Sequence, residues 1–353
     1  MRNVLAFICF TGLAGCATAP MEMHYYPEGR ESGSELVWPG PPEVARLSYA
    51  GELIGEVNVR AVEVFQEGAG VRFLRWVAGI TGIRGDVAEL VRPQSGMVDS
   101  SGRVLVTDVG RQAVVVFDEL NAEFLVWDTA APATSFLSPV GITADGRGGY
   151  LVADADLGYL VRLSANGEPI GRLDHEALVR PTGLARDPIA AELYVADSGA
   201  HDIKVFNARD ELVRTIGRRG VESGQFNGPT HLSFANDRLY VSDTLNSRVQ
   251  VLSPTGESLS TIGRRGLYVG NLVRPKGVTT DRDGHIYVIE SYYDHLLVFN
   301  EADELLLPIG GTGSDAGKFF LPAGAWTADG YRLFVADMFN GRVIVFDYLG
   351  GGP

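Results

Sequence analysis

Short hydrophobic runs separated by turn residues recur along most of this chain, and the clearest example lies between Pro229 and Gly266. Four runs rich in branched and aromatic residues follow one another there, separated by clusters of Asn, Asp, Gly, Pro and Ser. Runs of this length with such punctuation are typical of β-strands joined by tight turns. The segment therefore predicts a four-stranded antiparallel meander, and such a sheet needs neighbours to cover its two faces.

The same pattern returns at a nearly constant interval. The proline that opens each copy recurs at separations of 46, 42, 48, 46 and 47 residues, and an acidic residue that ends the second run recurs in step with it. The prolines are Pro93, Pro139, Pro181, Pro229, Pro275 and Pro322, and the acidic residues are Asp108, Asp154, Asp197, Asp243, Glu290 and Asp337. A period in the forties with four strands per copy is typical of a propeller. The sequence predicts an all-β, six-bladed β-propeller, in which the repeated acidic residue forms turns by binding nearby backbone amides.

Closure of the ring is also predicted. The sixth copy, from Pro322 to Leu349, holds only three strands, whereas residues 45–53 alternate apolar and polar positions near the other end of the chain. Pairing this N-terminal strand with the last blade would cover an exposed sheet edge. We therefore assign residues 44–353 to the propeller.

The residues of each repeat follow a pattern that also occurs in a known protein family. Blade three reads Pro181-Thr-Gly, then Leu193-Tyr-Val-Ala-Asp-Ser, a strand ending in Val-Phe, and Ile216-Gly-Arg-Arg-Gly. This pattern resembles the NHL-repeat family of six-bladed propellers over about residues 92–349. That family includes RNA-binding and protein-binding modules, an amidating lyase and exported bacterial proteins, so the resemblance implies a fold and leaves the function open.

The first residues predict export. A basic start and an apolar run from Val4 to Phe10, too short to span a bilayer, indicate a secretory signal at residues 1–15. The sequence Leu13-Ala-Gly-Cys16 resembles the bacterial lipobox, which implies lipidation of Cys16 and, with no acidic residue directly after it, the outer membrane of a Gram-negative host. The alternative is a plain signal peptide with an incidental cysteine. Without Cys9, the mature chain has no internal disulfide.

Two further segments depart from the repeat. Residues 16–43 contain five prolines after Cys16 and no sustained period, which predicts a tether, with Trp38 marking its docking point on the propeller. Residues 56–90 include Phe73, Trp76, Val77 and Ile80 at helical spacing. They predict a short helix that packs on the ring or, alternatively, an amphipathic element that faces lipid.

The net charge of the chain limits the kinds of partner that it can bind. The formal net charge is −14 at pH 7, so the chain as a whole repels nucleic acid and anionic lipid head groups. We therefore expect no nucleic-acid partner. An exception is local, because Arg218, Arg219, Arg264 and Arg265 occupy two near-identical Ile-Gly-Arg-Arg-Gly segments. Four arginines on neighbouring loops could hold a carboxylate, phosphate or acidic glycan, unless they pair with nearby carboxylates such as Glu222.

Residues that break the repeat are the candidates for a site made once per ring. They are His201 and His295 in turns after the second strand, His231 where four other blades carry glycine, and Tyr293 beside His295. In a meander these positions share one end of the ring with the arginine segments. We expect this face to bind a protein or an anionic ligand in the cell envelope.

The alternative is a metal-dependent propeller enzyme, similar to the amidating lyase or to propeller lactonases, that uses the loop face of blades 3 to 5. The resemblance includes a metal-dependent lyase, and His231 lies where such a ligand could enter the channel, but the matching positions of the other blades are not metal ligands and a metal site needs about three. The chain also lacks a nucleophile elbow, a phosphate loop and a zinc-helix motif. We expect no cofactor and a monomeric, membrane-anchored binding module facing the periplasm.

Overall fold

The structure is a computed structural model that describes residues 21–25, 36–61, 87–328 and 331–350. Within them, six antiparallel sheets of four or five strands form the blades, and the predicted six-bladed propeller is confirmed. Blades 1 to 3 comprise strands Pro93–Val98, Val104–Asp108, Ala113–Asp118 and Glu123–Trp127; Pro139–Ala144, Tyr150–Asp154, Tyr159–Leu163 and Pro169–Leu173; and Pro181–Asp187, Glu192–Asp197, Asp202–Phe206 and Leu212–Ile216.

Blades 4 to 6 continue the series in chain order. Their strands are Pro229–Ala235, Arg238–Asp243, Arg248–Leu252 and Ser258–Ile262; Pro275–Thr280, Ile286–Glu290, His295–Phe299 and Leu305–Gly310; and Ala325–Ala328, Arg332–Asp337 and Arg342–Tyr348. The first strand of each blade contacts the first strand of the next, and that of blade 6 contacts that of blade 1. These inner strands therefore surround one central channel.

Blade 6 takes its fourth strand from the N-terminal part of the chain, as predicted. Leu47–Leu53 pairs antiparallel with Arg342–Tyr348, from Val343 opposite Leu53 to Tyr348 opposite Leu47. Both leucines are fully buried, so the closing strand supplies core as well as hydrogen bonds. Because the pairing joins residues from the two ends of the propeller, it closes the ring and covers an edge that would otherwise be free.

Part of the segment predicted to be a tether is ordered against the propeller. Val37–Trp38 pairs with Leu47 and Ser48 and adds a fifth strand to blade 6. The Trp38 ring packs edge to face on Phe346, with centroids 5.4 Å apart. Proline-rich composition did not reveal this strand, because two residues are too few to show a period.

Hydrophobic packing lies between the blades. Six buried clusters occupy the described part of the chain, and each joins two neighbouring sheets. The cluster between blades 3 and 4, for example, includes Tyr194, Phe226 and Val241. Every blade is thus held by two apolar faces, which is why one isolated meander could not fold.

Irregular elements are few among the described residues. Three short 3-10 helices span Glu56–Asn58, Thr244–Asn246 and Met338–Asn340, and two small strand pairs join Met21–Met23 to Val59–Ala61 and Thr129–Ala131 to Thr134–Ser135. The helix predicted around Phe73, Trp76, Val77 and Ile80 lies outside the described residues, as does the signal segment. No described helix is long and apolar enough to cross a membrane.

Candidate functional site

The repeated acidic residue forms turns, as predicted. Asp197 shows the basic arrangement, because it accepts hydrogen bonds from the backbone amides of Val179 and Arg180 and from those of Gly199 and Ala200. The first pair belongs to the connection that enters the blade, and the second pair to the turn between strands two and three. One buried carboxylate therefore fixes the two kinds of loop that share this end of the ring, which we call the loop face.

The four arginines of the loop face are exposed. Arg218, Arg219, Arg264 and Arg265 lie on the connections into blades 4 and 5. None of the four forms an ion pair within the described residues, and Glu222 does not pair with them. Asp202 instead pairs with Lys204 at 2.5 Å, and Asp294 accepts from Thr312 and Leu321. The alternative in which nearby carboxylates neutralise these arginines is therefore not seen.

The loops that carry these arginines are held by regular contacts. Arg219 forms a parallel bridge with Phe226, and Arg265 forms the equivalent bridge with Leu272. Both Phe226 and Leu272 are fully buried, so each connection is anchored in the core beside its arginine pair. The guanidinium groups extend from a fixed backbone, which favours binding because less loop ordering opposes it.

Two of the predicted histidines have local structural contacts. His201 accepts a hydrogen bond at Nδ1 from the backbone amide of Gly228 over 3.0 Å, so it ties the turn of blade 3 to the entry of blade 4. His295 lies 2.5 Å through Nδ1 from the carbonyl oxygen of Tyr293. His295 and Tyr293 also line a cavity of about 120 Å³ at the loop face of blade 5.

His231 is not a surface residue of the loop face, because it lies buried beside the channel and is only 7% exposed. Its Nδ1 is 3.1 Å from the hydroxyl of Thr230, and its Nε2 is buried without a hydrogen bond in the described structure. Burial and then the positive charge of Lys276 lower the pKa of His231 to about 3. The backbone of Gln94, in the opposite blade, acts to raise this pKa, although no hydrogen bond of regular geometry joins the two residues. This imidazole is therefore neutral near pH 7.

Close packing of the inner strands explains why the other blades carry glycine at this position. A Cβ atom added to Gly141 would lie 2.2 Å from the carbonyl oxygen of Thr182, and one added to Gly324 would lie 2.3 Å from that of Gln94. A Cβ atom added to Gly183 would lie 2.7 Å from the Cα atom of His231. The Pro-x-Gly pattern is thus a packing requirement, and blade 4 is the place where the channel admits a large side chain.

Lys276 was not predicted as a site residue. It is the residue after the opening proline of blade 5, and burial followed by the charge of Arg274 lowers its pKa to about 8. The positive charge of Lys276 lowers the pKa of His231, and Lys276 forms no ion pair with the described residues. Its place in the channel depends on ring closure, so no local sequence signal marks it.

A larger groove lies at the opposite face. It has a volume of about 500 Å³ and is bounded by the segment from Pro39 to Leu47 and by blade 5. His285 lines it, and its Nδ1 lies 2.7 Å from Asp281, which also accepts from the hydroxyl of Tyr287 at 2.9 Å. The equivalent turns of blades 1 and 2 carry Arg103 and Gly149, so no common residue marks this position in the sequence. No group of three or more metal-ligating side chains occurs among the described residues.

Comparisons with known proteins place the chain in a broad structural class. No family model matches it, and no curated protein matches it either. Solved structures do: a virginiamycin B lyase from Staphylococcus aureus with quinupristin has a TM-score of 0.53 and 13% identity over 73% of this chain and 95% of that one. An auxiliary nutrient-binding protein from Bacteroides thetaiotaomicron has a TM-score of 0.58 and 11% identity over 74% and 70%.

A third similar structure is that of a nidogen/laminin complex, with a TM-score of 0.53 and 16% identity over 71% of this chain and 89% of that one. At such identities the likeness concerns the fold alone. The three proteins have different activities by their descriptions, which agrees with the general observation that one propeller serves many functions. The function of this chain must therefore be argued from its own residues.

Proposed function

We propose that this protein is a lipid-anchored binding module of the cell envelope, and that its loop face over blades 3 to 5 holds an anionic partner. The observation that carries the proposal is the set of four exposed arginines on two equivalent, anchored connections, none of which forms an ion pair with a residue that the structure describes. A chain of net charge −14 could neutralise such a patch with its own carboxylates. Arginines left free beside many acidic residues are available to a partner.

The chemistry favours an anion with several oxygen atoms. A guanidinium group donates two parallel hydrogen bonds to a carboxylate or phosphate, and such charge-assisted bonds are stronger than neutral ones. Arg218 and Arg219 on one connection and Arg264 and Arg265 on the next can act together on one ligand. Acidic glycans and acidic protein surfaces both offer that array of charges.

Anchoring is the second part of the proposal. Each buried methylene of an acyl chain contributes about 0.8 kcal/mol to membrane binding, so lipidation at Cys16 would hold the protein at a bilayer. We expect Cys16→Ser to move the protein from the membrane fraction to the soluble fraction. Retention of that variant in membranes after a high-salt wash would contradict the lipid anchor.

The binding test uses purified protein with Arg218, Arg219, Arg264 and Arg265 replaced by serine. Binding to oligogalacturonate or polyphosphate, measured by calorimetry at fixed ionic strength, should weaken by more than about tenfold, because each charge-assisted bond is worth about 1.5–3 kcal/mol. The melting temperature should change little, since exposed charges contribute about 0–1 kcal/mol to stability.

A matched control separates local from overall charge. Arg147, Arg172, Arg209 and Arg282 are exposed arginines on other surfaces, so replacing them by serine changes the net charge equally. Equal losses of binding in the two variants would contradict a site on the loop face. A stoichiometric metal that copurifies with the wild type and disappears in His231→Ala would instead support the metal-dependent enzyme.

A further inference from the structure

Blades 4, 5 and 6 receive connections of the same shape. Each contains one parallel bridge at the same place: Arg219 with Phe226, Arg265 with Leu272, and Thr312 with Phe319. A backbone amide one residue before the second member of each bridge also closes the same turn. The three connections can therefore be superimposed residue by residue, and differences between them can be assigned to individual side chains.

A guanidinium group supports this connection in two of the three blades. Arg342 of blade 6 donates from Nε to Asp337 at 2.9 Å, and its terminal nitrogens donate to the carbonyl oxygens of Ser314, Asp315 and Lys318. Arg248 of blade 4 makes the corresponding contacts. Its Nε donates to Asp243 at 2.9 Å, and one terminal nitrogen donates to the carbonyl oxygens of Glu222 and Gln225.

Blade 5 lacks every one of these side-chain donors. Asp243 accepts from Asn246, Arg248 and Gln250, whereas the matching residues of blade 5 are Tyr293, His295 and Leu297. Within the part of the chain that the structure describes, the buried carboxylate there, Glu290, accepts only from the backbone amides of Val273, Arg274 and Tyr292. Burial raises the pKa of Glu290, against the effect of those amides and of His295. Its negative charge has no guanidinium partner.

A cavity occupies the place of the missing group. Its volume is about 120 Å³, several times the ~30 Å³ share of one water molecule, which gives room for a planar group of four heavy atoms. Glu290, Tyr293, His295, Leu297 and the connection from Leu267 to Asn271 line it. These are the positions that surround the arginine in blades 4 and 6.

The acceptors for such a group are still present. Alignment on the bridge makes Tyr268 equivalent to Glu222 and Asp315, and Asn271 equivalent to Gln225 and Lys318. In the other two blades it is the carbonyl oxygens at these positions that accept from the guanidinium. The amide of Asn271 donates to the carbonyl of Tyr268 at 2.9 Å, as in the equivalent turns. The backbone frame is therefore intact in blade 5.

We propose that this cavity binds the guanidinium group of an arginine side chain from a partner polypeptide. The carboxylate of Glu290 and the carbonyl oxygens of Tyr268 and Asn271 reproduce the acceptor set that holds Arg248 and Arg342. The inference goes beyond the proposed function, because it concerns a cation and does not need the four exposed arginines.

The rim of the cavity argues for a polypeptide as the source of the guanidinium. Leu267 and Tyr268 are each 83% exposed, and Val269 and Tyr292 are exposed beside them. The positions equivalent to Tyr268 and Val269 carry Glu222 and Ser223 in blade 4, so this connection is more apolar in blade 5. Large apolar side chains around a buried acceptor set offer contact area to the residues that flank an inserted arginine.

The experiment measures binding of a fluorescent peptide with one arginine between two leucines, beside the same peptide with citrulline or lysine. We expect the wild-type protein to bind the arginine peptide at least about tenfold more tightly than the citrulline peptide, which keeps the shape but loses the charge. Glu290→Gln should reduce binding of the arginine peptide by at least about tenfold for the same reason.

A second variant restores the group that the repeat supplies elsewhere. In His295→Arg with Glu290→Asp, the chain's own guanidinium should fill the cavity, abolish peptide binding and raise the melting temperature. The matched control is His285→Arg on the opposite face, where blade 1 already carries Arg103 in the equivalent turn. It adds the same charge and should leave peptide binding unchanged.

Three results would overturn the proposal. They are equal affinity for the arginine and citrulline peptides, unchanged binding in the folded, filled variant, and N-acetylarginine amide binding as tightly as the peptide. The variant with four serines in place of Arg218, Arg219, Arg264 and Arg265 should keep peptide binding, and the filled variant should keep polyanion binding. Failure of one proposal is thereby distinguished from failure of the other.

Discussion

Blades 3 and 4 are neighbours, and the same repeated aspartate is used differently in each. In blade 3 the connection spans residues 174–180, and Asp197 accepts four backbone amides. In blade 4 the connection spans residues 217–228, and Asp243 accepts one backbone amide, that of Asn227, together with three side-chain donors. In blade 3 the carboxylate holds the connection through backbone amides alone, whereas in blade 4 an arginine side chain also reaches the carbonyl oxygens of the connection.

The arginine pairs at 218–219 and 264–265 lie on two of the three connections that share the parallel bridge. Blade 5 differs again, because it has the long connection with an acid that accepts only backbone amides. The repeat is therefore complete in blades 4 and 6 and incomplete in blade 5, where the cavity lies.

The largest effect should come from removing the strand that completes blade 6. Deleting residues 17–55 removes Leu47–Leu53, and the edge of Arg342–Tyr348 would lose its ladder and its buried leucines. We expect no cooperative unfolding transition from this variant. Deleting residues 17–41 should leave a folded ring with a lower melting temperature, because Trp38 no longer packs on Phe346. Equal melting temperatures for the two deletions would contradict closure by this strand.

A large effect should also follow from removing the buried guanidinium of blade 6. Arg342 is 3% exposed in its side chain and bridges Asp337 to Glu52 of the closing strand at 2.9 and 2.7 Å. Arg342→Met should lower the free energy of unfolding by about 3–5 kcal/mol, because two buried carboxylates lose their counter-charge.

Arg248→Met in blade 4 provides the comparison, measured by urea denaturation. Arg248 is 15% exposed and pairs with one carboxylate, Asp243. We expect a smaller loss than for Arg342→Met. An equal loss would mean that the ion pair between Arg342 and Glu52 of the closing strand adds nothing to stability. The difference that we infer between blades 4 and 6 would then be wrong.

A smaller, pH-dependent effect should come from the channel. His231 has a folded-state pKa of about 3 against 6.5 when unfolded, so its contribution to stability is complete above pH 6.5 and is lost as the pH falls toward 3. At pH 5 the loss amounts to about 2 kcal/mol. His231→Gln should remove this part of the pH dependence. Parallel stability curves for the variant and the wild type between pH 7 and pH 5 would contradict the burial of a neutral imidazole.

Repetition made much of this fold predictable. The opening proline and the turn acid, which is aspartate in five copies and glutamate in one, each occur six times, so the pattern did not depend on any single copy. The first strands of blades 1 to 5 begin at the predicted prolines. The loop face was predictable as well, because a meander fixes which turns share an end. The sequence did not mark His285, because its turn differs between blades. It did not mark Lys276, because the neighbours of this residue lie across the channel.

The sequence by itself determined the number of blades, the direction of their loops and the residues that break the repeat, since these depend on local propensity and on a fixed period. Only the tertiary structure decided which of those residues are accessible. It buried His231 beside the channel, left the four arginines without ion pairs among the described residues, and opened a cavity where His295 stands in place of an arginine. The physical reason is that burial and charge pairing depend on contacts between blades, and those contacts form only when the ring closes.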